Sequence, residues 1–158
     1  VGVFVNETVA TMQQIAAAVG LDAVQLHGDE PIDVAKQLIA DGHRVVRAIK
    51  LPTTDLTAEQ IQQCVEPWAE IGCHPLLDAD AGAAHGGSGK TLQWDVIAEW
   101  SAKCPDQAWT LAGGLNPENL AAAIARSTAQ SVDTASGAEA ERGVKSPARI
   151  GEFFEQWK

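Results

Sequence analysis

The sequence predicts an α/β protein of the (β/α)8-barrel class, with parallel strands inside and helices outside. Three observations carry that expectation. Runs of strand character alternate strictly with runs of helical periodicity, giving about six βα units, and such alternation implies a parallel sheet covered by helices. Polar residues or glycines stand at the carboxyl ends of the strand runs, in "LHG", "LLDAD", "LAGG" and "DTASG", where barrel enzymes build their sites. A doubly wound open sheet fits the alternation equally. Its dinucleotide-binding form, however, places G-x-G-x-x-G after the first strand, and "VGVFVN" offers nothing of the kind. Barrels typically run to about 250 residues, and 158 residues fall short of that.

The elements follow in order. "VGVFVN" and "AVQLHG" read as buried strands; between them Val9, Met12, Ile15, Ala16 and Val19 recur at helical spacing, and Gly20 supplies a stop. A second helix starts near Pro31, a favoured first-turn residue, with Val34, Ala35, Leu38 and Ile39 on one face before Gly42. Strand "RVVRAIKL" follows, and then Thr57-x-x-Gln60 forms a capping box for a helix carrying Ile61, Val65 and Trp68. Strand "HPLLDAD" leads to a glycine-rich loop and a helix around "WDVIAEW". After strand "AWTLAGG" a helix starts at Asn116-Pro117, and after strand "SVDTASG" the last helix starts at Ser146-Pro147, with Ile150, Phe153, Phe154 and Trp157 expected inward. No connection is long enough for a domain linker, so residues 1–158 are expected to form a single, partial barrel domain.

The glycine-rich loop invites a nucleotide-binding reading, because "AHGGSGKT" ends as a P-loop ends. That motif needs a glycine five residues before its Gly-Lys pair so that backbone N–H groups can close round a phosphate, and Ala84 stands there instead. The formal charge of −10 repels nucleic acid and anionic membranes, so neither is an expected partner. An anionic small substrate is compatible with it, since local backbone dipoles bind phosphate within an acidic protein. No run approaches the apolar length of a membrane span. Cys64, Cys73 and Cys104 contain no C-x-x-C pair and leave one odd, as reduced thiols in a cytoplasmic protein do. The four histidines, His27, His43, His74 and His85, show no metal-ligand spacing.

At "VGVFVN", "LDAVQLHGDE", "LLDAD…GGSGKTLQWDVI", "LAGGLNPENL" and "VDTASGAEAERGVKS", in that order, the chain resembles the phosphoribosylanthranilate isomerases, (β/α)8 enzymes of tryptophan biosynthesis. The resemblance implies that "VGVFVN" corresponds to the family's third strand, so that these residues supply the third to eighth βα units. The first two units, with the family's general-base cysteine and a substrate-binding arginine, have no counterpart here. Cys64, Cys73 and Cys104 do not match the base. The glycine loop becomes an active-site loop rather than a nucleotide clamp.

The implied reaction is an Amadori rearrangement, which needs an acid at the furanose oxygen and a base for the sugar C2 proton, with no redox change and therefore no redox cofactor. Asp78 matches the general acid, and its carboxyl must hold a proton when substrate binds, through burial or neighbouring negative charge; Asp80 is the alternative by position. Gly113, Gly114, Ser136 and Gly137 match the phosphate-binding loops after the last two strands. Asp133 matches an eighth-strand acid, read equally as orienting substrate or as a structural carboxylate. Gln25, His27 and Asn6 match pocket-lining positions, with a supporting role an equal reading, and Ser88 and Lys90 are candidates to close over the ligand. Thr134, Ala135 and Ala138 stand where the family pattern "VDVSSGVE" has other residues, and Ser146 replaces a common aspartate; these exchanges affect loop packing more than chemistry.

Two further readings compete. One is a catalytically incomplete, phosphate-binding barrel fragment that needs another chain or self-association through open strand edges. The other is an indole-glycerol-phosphate synthase type of barrel, whose chemistry wants a strand lysine and finds only Lys50. The isomerase motifs outweigh the latter, and the 158 residues alone are expected to bind phosphate weakly and to catalyse poorly.

Overall fold

The computed structural model describes residues 1–79 and 90–157. Asp80 and the glycine loop with Ser88 lie outside the described residues. The order is β1 (Gly2–Phe4), α1 (Val9–Val19), β2 (Ala23–Leu26), α2 (Ile32–Ala40), β3 (Arg44–Leu51), α3 (Ala58–Glu70), β4 (His74–Ala79), α4 (Trp94–Lys103), β5 (Thr110–Leu111), α5 (Leu120–Ser127), β6 (Glu139–Glu141), β7 (Val144–Lys145) and α6 (Pro147–Gln156). The main sheet runs β1-β2-β3-β4-β5, with β1 parallel to β2 and β2 parallel to β3. Val132 joins β5 through a parallel bridge to Leu111. Among the described residues no helix is long and apolar enough to cross a membrane. The chain gathers into two compact units, Val1–Ile49 with Gln63–Leu76, and Lys50–Gln62 with Leu77–Lys158.

In the first unit, Phe4, Leu26 and Arg47 lie in register across β1, β2 and β3. Phe4, Val24, Leu26 and Val45 pack with Met12, Ala35 and Leu38 into one buried cluster, which places the helices on that face of the strands. The helix ends are local in origin. Thr8 Oγ1 accepts the Thr11 N–H to start α1, and Gly20, left-handed at φ 66°, returns its N–H to the Ala16 carbonyl to end it. "VGVFVN" is not a fully buried strand. Side chains alternate between faces along a strand, and only the Phe4 side is packed; Val1, Val3 and Val5 are 69%, 59% and 42% exposed.

In the second unit, Ala112 N–H bonds to the Leu77 carbonyl, Leu111 N–H to Ser131 and Asp133 N–H to Leu111. This ladder lines up the ends of β4, β5 and the 131–133 segment. Leu77, Ile97, Trp100, Leu111, Leu115 and Leu120 are fully buried. The Thr57 capping box is present in both directions, Thr57 N–H to Gln60 Oε1 at 2.8 Å and Gln60 N–H to Thr57 Oγ1 at 3.2 Å. The Ser146 cap also forms, on the Arg149 N–H.

Three expectations are corrected here. The "SVDTASG" strand shrinks to one bridge and then turns into a short 3-10 segment, Ser136–Ala138, and a hairpin of β6 and β7 that periodicity did not show. Regular α5 begins at Leu120 rather than at Asn116-Pro117, because Asn116 and Asn119 first exchange side-chain and backbone hydrogen bonds of 2.9 Å. On α6 only Phe153 is buried, while Ile150, Phe154 and Trp157 are 38%, 65% and 40% exposed. These three line a cleft of about 520 Å³ beside Val132 and Asp133 rather than entering the core.

Candidate active site

Asp78 is the penultimate residue of β4, half-buried between the buried Leu77 and Ala79. The loop after β5 closes against it. Gly113 and Gly114 take φ of 84° and 64°, a region that costs any residue with a Cβ. A Cβ on Gly113 would stand 2.5 Å from Ala79 N and 3.0 Å from Asp78 Oδ1. The Gly114 carbonyl is held by Asn119 Nδ2 at 2.9 Å.

The loop after Asp133 locks onto this one. Thr134 Oγ1 donates to the Leu115 carbonyl at 2.6 Å, and a Cβ on Gly137 would lie 1.9 Å from the same oxygen. The structure therefore brings the glycine pair 113–114 and the Ser136-Gly137 turn together within the second unit. Lys145 Nζ donates to the Ala135 carbonyl at 2.6 Å and Arg149 Nε to the Gly137 carbonyl at 2.9 Å, while Glu139 N–H takes Ser136 O. The three successive carbonyls of Ala135, Ser136 and Gly137 are thus occupied. Across a planar trans peptide the following N–H points the opposite way, so the Ser136 amide, which follows the Ala135 carbonyl, faces away from Lys145. Each cation has a carboxylate partner as well. The Gly143 N–H and Lys145 hold Glu139 below the usual carboxylate range, and Arg149 does the same for Glu118. Asp133 lies exposed on the cleft beside Val132 and Thr134. Lys90 is exposed.

Gln25, His27 and Asn6 come together in the first unit. Gln25 is buried and its Nε2 lies 3.1 Å from His27 Nδ1, as residues i and i+2 on one face of a strand can. With the amide donating, the ring's own donor is Nε2. His27 N–H continues the ladder to the Phe4 carbonyl at 2.9 Å. Asn6 takes a left-handed φ of 55°; its side-chain oxygen accepts the Asp29 N–H at 2.8 Å and its own N–H meets Glu30 Oε1 at 2.7 Å.

Cys73 is buried, which pushes its thiol up to about 11 against the opposing pull of Arg47, and Cys104 Sγ donates to Gln62 at 3.1 Å. Among the described residues no group of three or more His, Cys, Asp or Glu could hold a metal ion. Sequence reasoning missed Glu30, Arg47, Lys145 and Arg149, whose partners lie up to 31 positions away along the chain and give no periodic signal; for Asn6 with Glu30 the separation is 24.

The family model of N-(5'-phosphoribosyl)anthranilate (PRA) isomerase matches residues 1–156. The N-(5'-phosphoribosyl)anthranilate isomerase of Pelobacter propionicus is 40% identical over 156 residues, which cover 98% of this chain and 68% of that protein. The crystal structure of phosphoribosyl anthranilate isomerase from Thermotoga maritima superimposes with a TM-score of 0.80 at 33% identity, covering 98% of this chain and 70% of that one. A structure of such an isomerase in complex with reduced 1-(o-carboxyphenylamino)-1-deoxyribulose 5-phosphate matches with a TM-score of 0.74 at 30% identity, covering 98% and 69%.

Proposed function

Because the chain belongs to the N-(5'-phosphoribosyl)anthranilate isomerase family, enzymes of tryptophan biosynthesis, we propose that it rearranges N-(5-phosphoribosyl)anthranilate to 1-(2-carboxyphenylamino)-1-deoxyribulose 5-phosphate with Asp78 as general acid. Asp78 gives a proton to the furanose oxygen as the C1–O bond breaks, and the anthranilate nitrogen supplies the electron pair of the C1=N bond. A base then removes the C2 proton to form an enolamine. Transfer of a proton to C1 and loss of the enol proton leave the ketone at C2, so atoms and electrons balance without a redox cofactor. The observation that carries the assignment is the seat of Asp78, a half-buried carboxylate at a strand's carboxyl end, flanked by a glycine loop that admits no side chain.

The phosphate is assigned to Gly113, Gly114, Ser136 and Gly137. The Ser136 amide turned away from Lys145 and the left-handed Gly113 and Gly114 support this, since they let the backbone approach an anion. Asp133 is assigned to the anthranilate amine or the sugar, and Gln25, His27 and Asn6 of the first unit are assigned to substrate contact as the family resemblance implies. The buried, high thiol of Cys73 argues against its use as base. The base and a substrate-binding arginine are assigned to the family's first two βα units, as the resemblance implies. Self-association through the exposed valines of β1 is a second element of the proposal. A cytoplasmic location is a third, supported by three cysteines without a disulfide.

The test compares residues 1–158 alone with the same residues joined to the first two βα units of a relative. The chain alone is expected to bind the reduced ketosamine phosphate weakly and to turn over negligibly, and the joined chain to be active. In the joined chain Asp78→Asn should lose about 10²–10⁴-fold in kcat. Full turnover by residues 1–158 alone removes the need for a separate base, and an active Asp78→Asn variant removes the acid assignment.

A further inference from the structure

Glu30 is a buried carboxylate that the proposed chemistry does not use. Its side chain is 2% exposed. Three donors converge on it: the Asn6 N–H at 2.7 Å and the Gly28 N–H at 3.1 Å on Oε1, and Arg47 Nη1 at 2.7 Å on Oε2. Arg47 is itself only 12% exposed along its side chain, and its guanidinium lies 4.3 Å over the Trp68 ring, which fixes its plane. A buried charge is retained only where it is paired and hydrogen-bonded, and here every partner belongs to a different stretch of chain.

Those stretches lead to the proposed pocket residues. Asn6 follows β1 by two residues, Gly28 follows β2 by two, and Arg47 stands on β3 in register with Phe4 and Leu26. Glu30 therefore ties the exits of two neighbouring strands to the third. The tie has no slack: a Cβ on Gly28 would lie 2.5 Å from Asn6 Oδ1, 2.7 Å from Asn6 N and 2.7 Å from Glu30 Oε1. The residue before Gly28 is His27, and Asn6 is held by its own N–H. Resting on the functional reading above, we propose that Glu30 is a positioning residue: its charge, anchored by Arg47, clamps the Asn6 and Gly28 backbones together and so presents Asn6 and His27 to the substrate in one arrangement.

The test exploits the difference between a carboxylate and a carboxamide. In Glu30→Gln one oxygen can serve the two backbone N–H groups or Arg47, never both, and the charged donor is the stronger competitor. Adding Arg47→Met removes that competitor and lets the oxygen return to the backbone. Amide exchange at Asn6 and Gly28 is followed by NMR, and affinity for the reduced ketosamine phosphate by calorimetry, well below every melting midpoint. Glu30→Gln is expected to speed exchange at both amides about tenfold or more and to weaken binding by a similar factor. The double variant should recover both while melting no higher than the single one. Unchanged exchange in Glu30→Gln overturns the proposal, and so does affinity that merely follows melting temperature across the set. A wild-type chain that does not bind the analogue overturns the functional reading and the substrate-presenting half of this one, while the exchange data still decide whether Glu30 clamps the two loops.

Discussion

Gly113 and Asp78 leave no space for a side chain between them: a Cβ on Gly113 would stand 3.0 Å from Asp78 Oδ1, at a backbone φ of +84°. The carboxylate's position thus depends on a residue defined by what it lacks. Gly113→Ala combines left-handed strain with a clash against Ala79 N, and is expected to destabilise the chain by roughly 2–4 kcal/mol. It should also weaken binding of the reduced ketosamine phosphate as Asp78 is displaced. Urea unfolding and calorimetry on the same sample check this, and a variant of wild-type stability and affinity contradicts it.

The contact between Gly137 and Leu115 is tighter, and its consequence differs. A Cβ at Gly137 would fall 1.9 Å from the Leu115 carbonyl oxygen, so Gly137→Ala must part the two loops assigned to the phosphate. Competition by inorganic phosphate against the analogue should weaken about tenfold or more, a loss of roughly 1.4 kcal/mol or above. Arg149→Met removes only the donor to the Gly137 carbonyl and the ion pair with Glu118. It adds no bulk in the loop, and only a small loss of stability, with phosphate competition kept, is expected. Equal phosphate competition by wild type and Gly137→Ala would remove Gly137 from the phosphate assignment.

The cysteines should separate by reactivity. Cys64 is exposed and Cys73 buried, with burial pushing the Cys73 thiol up to about 11. Only thiolate reacts, so iodoacetamide at pH 8 should label Cys64 in the folded chain and Cys73 only after unfolding. The linkage has a sign. The folded thiol loses its proton later than the unfolded one, so the native state holds more protons between the ordinary 9.0 and about 11. Stability should therefore fall as pH rises through that window, and Cys73→Ala should remove that part of the fall. Rapid native labelling of Cys73 would contradict its placement.

Much of this molecule was legible locally. The Thr57-Gln60 box, the Ser146 cap and the Gly20 stop each follow from residues within four positions of one another, and the alternation of elements followed from apolar periodicity. Within the first unit Gln25 meets His27, and within the second the Leu115 carbonyl, just after the 113–114 pair, meets Gly137. What failed depended on distant chain. The apolar spacing of Ile150, Phe154 and Trp157 marks a face of α6 but not whether anything covers it, and they line a cleft instead. The Glu30–Arg47 pair was invisible for the opposite reason: two charged residues 17 positions apart carry no periodic signal, and only the register of β1, β2 and β3 sets their partners side by side.

His74 supplies a pH test at the other end of the range. It opens β4, and burial holds its imidazole below the ordinary value of 6.5. Protonation is thus easier in the unfolded chain, which binds more protons than the folded one from about pH 6.5 downward. Stability must then rise with pH across this interval and be lost as pH falls. Carboxylates held low by Arg126, Lys103 and Arg149 add a similar slope, but at lower pH, since Asp95, Glu59 and Glu118 all lie below their ordinary values of 3.8 to 4.5. His74→Gln separates the two effects. Between pH 7 and 5 its melting temperature should fall less than that of the wild type, and below pH 4 the two curves should run parallel. Identical curves from pH 7 to 5 would mean that His74 takes up its proton as readily in the folded chain as in the unfolded one.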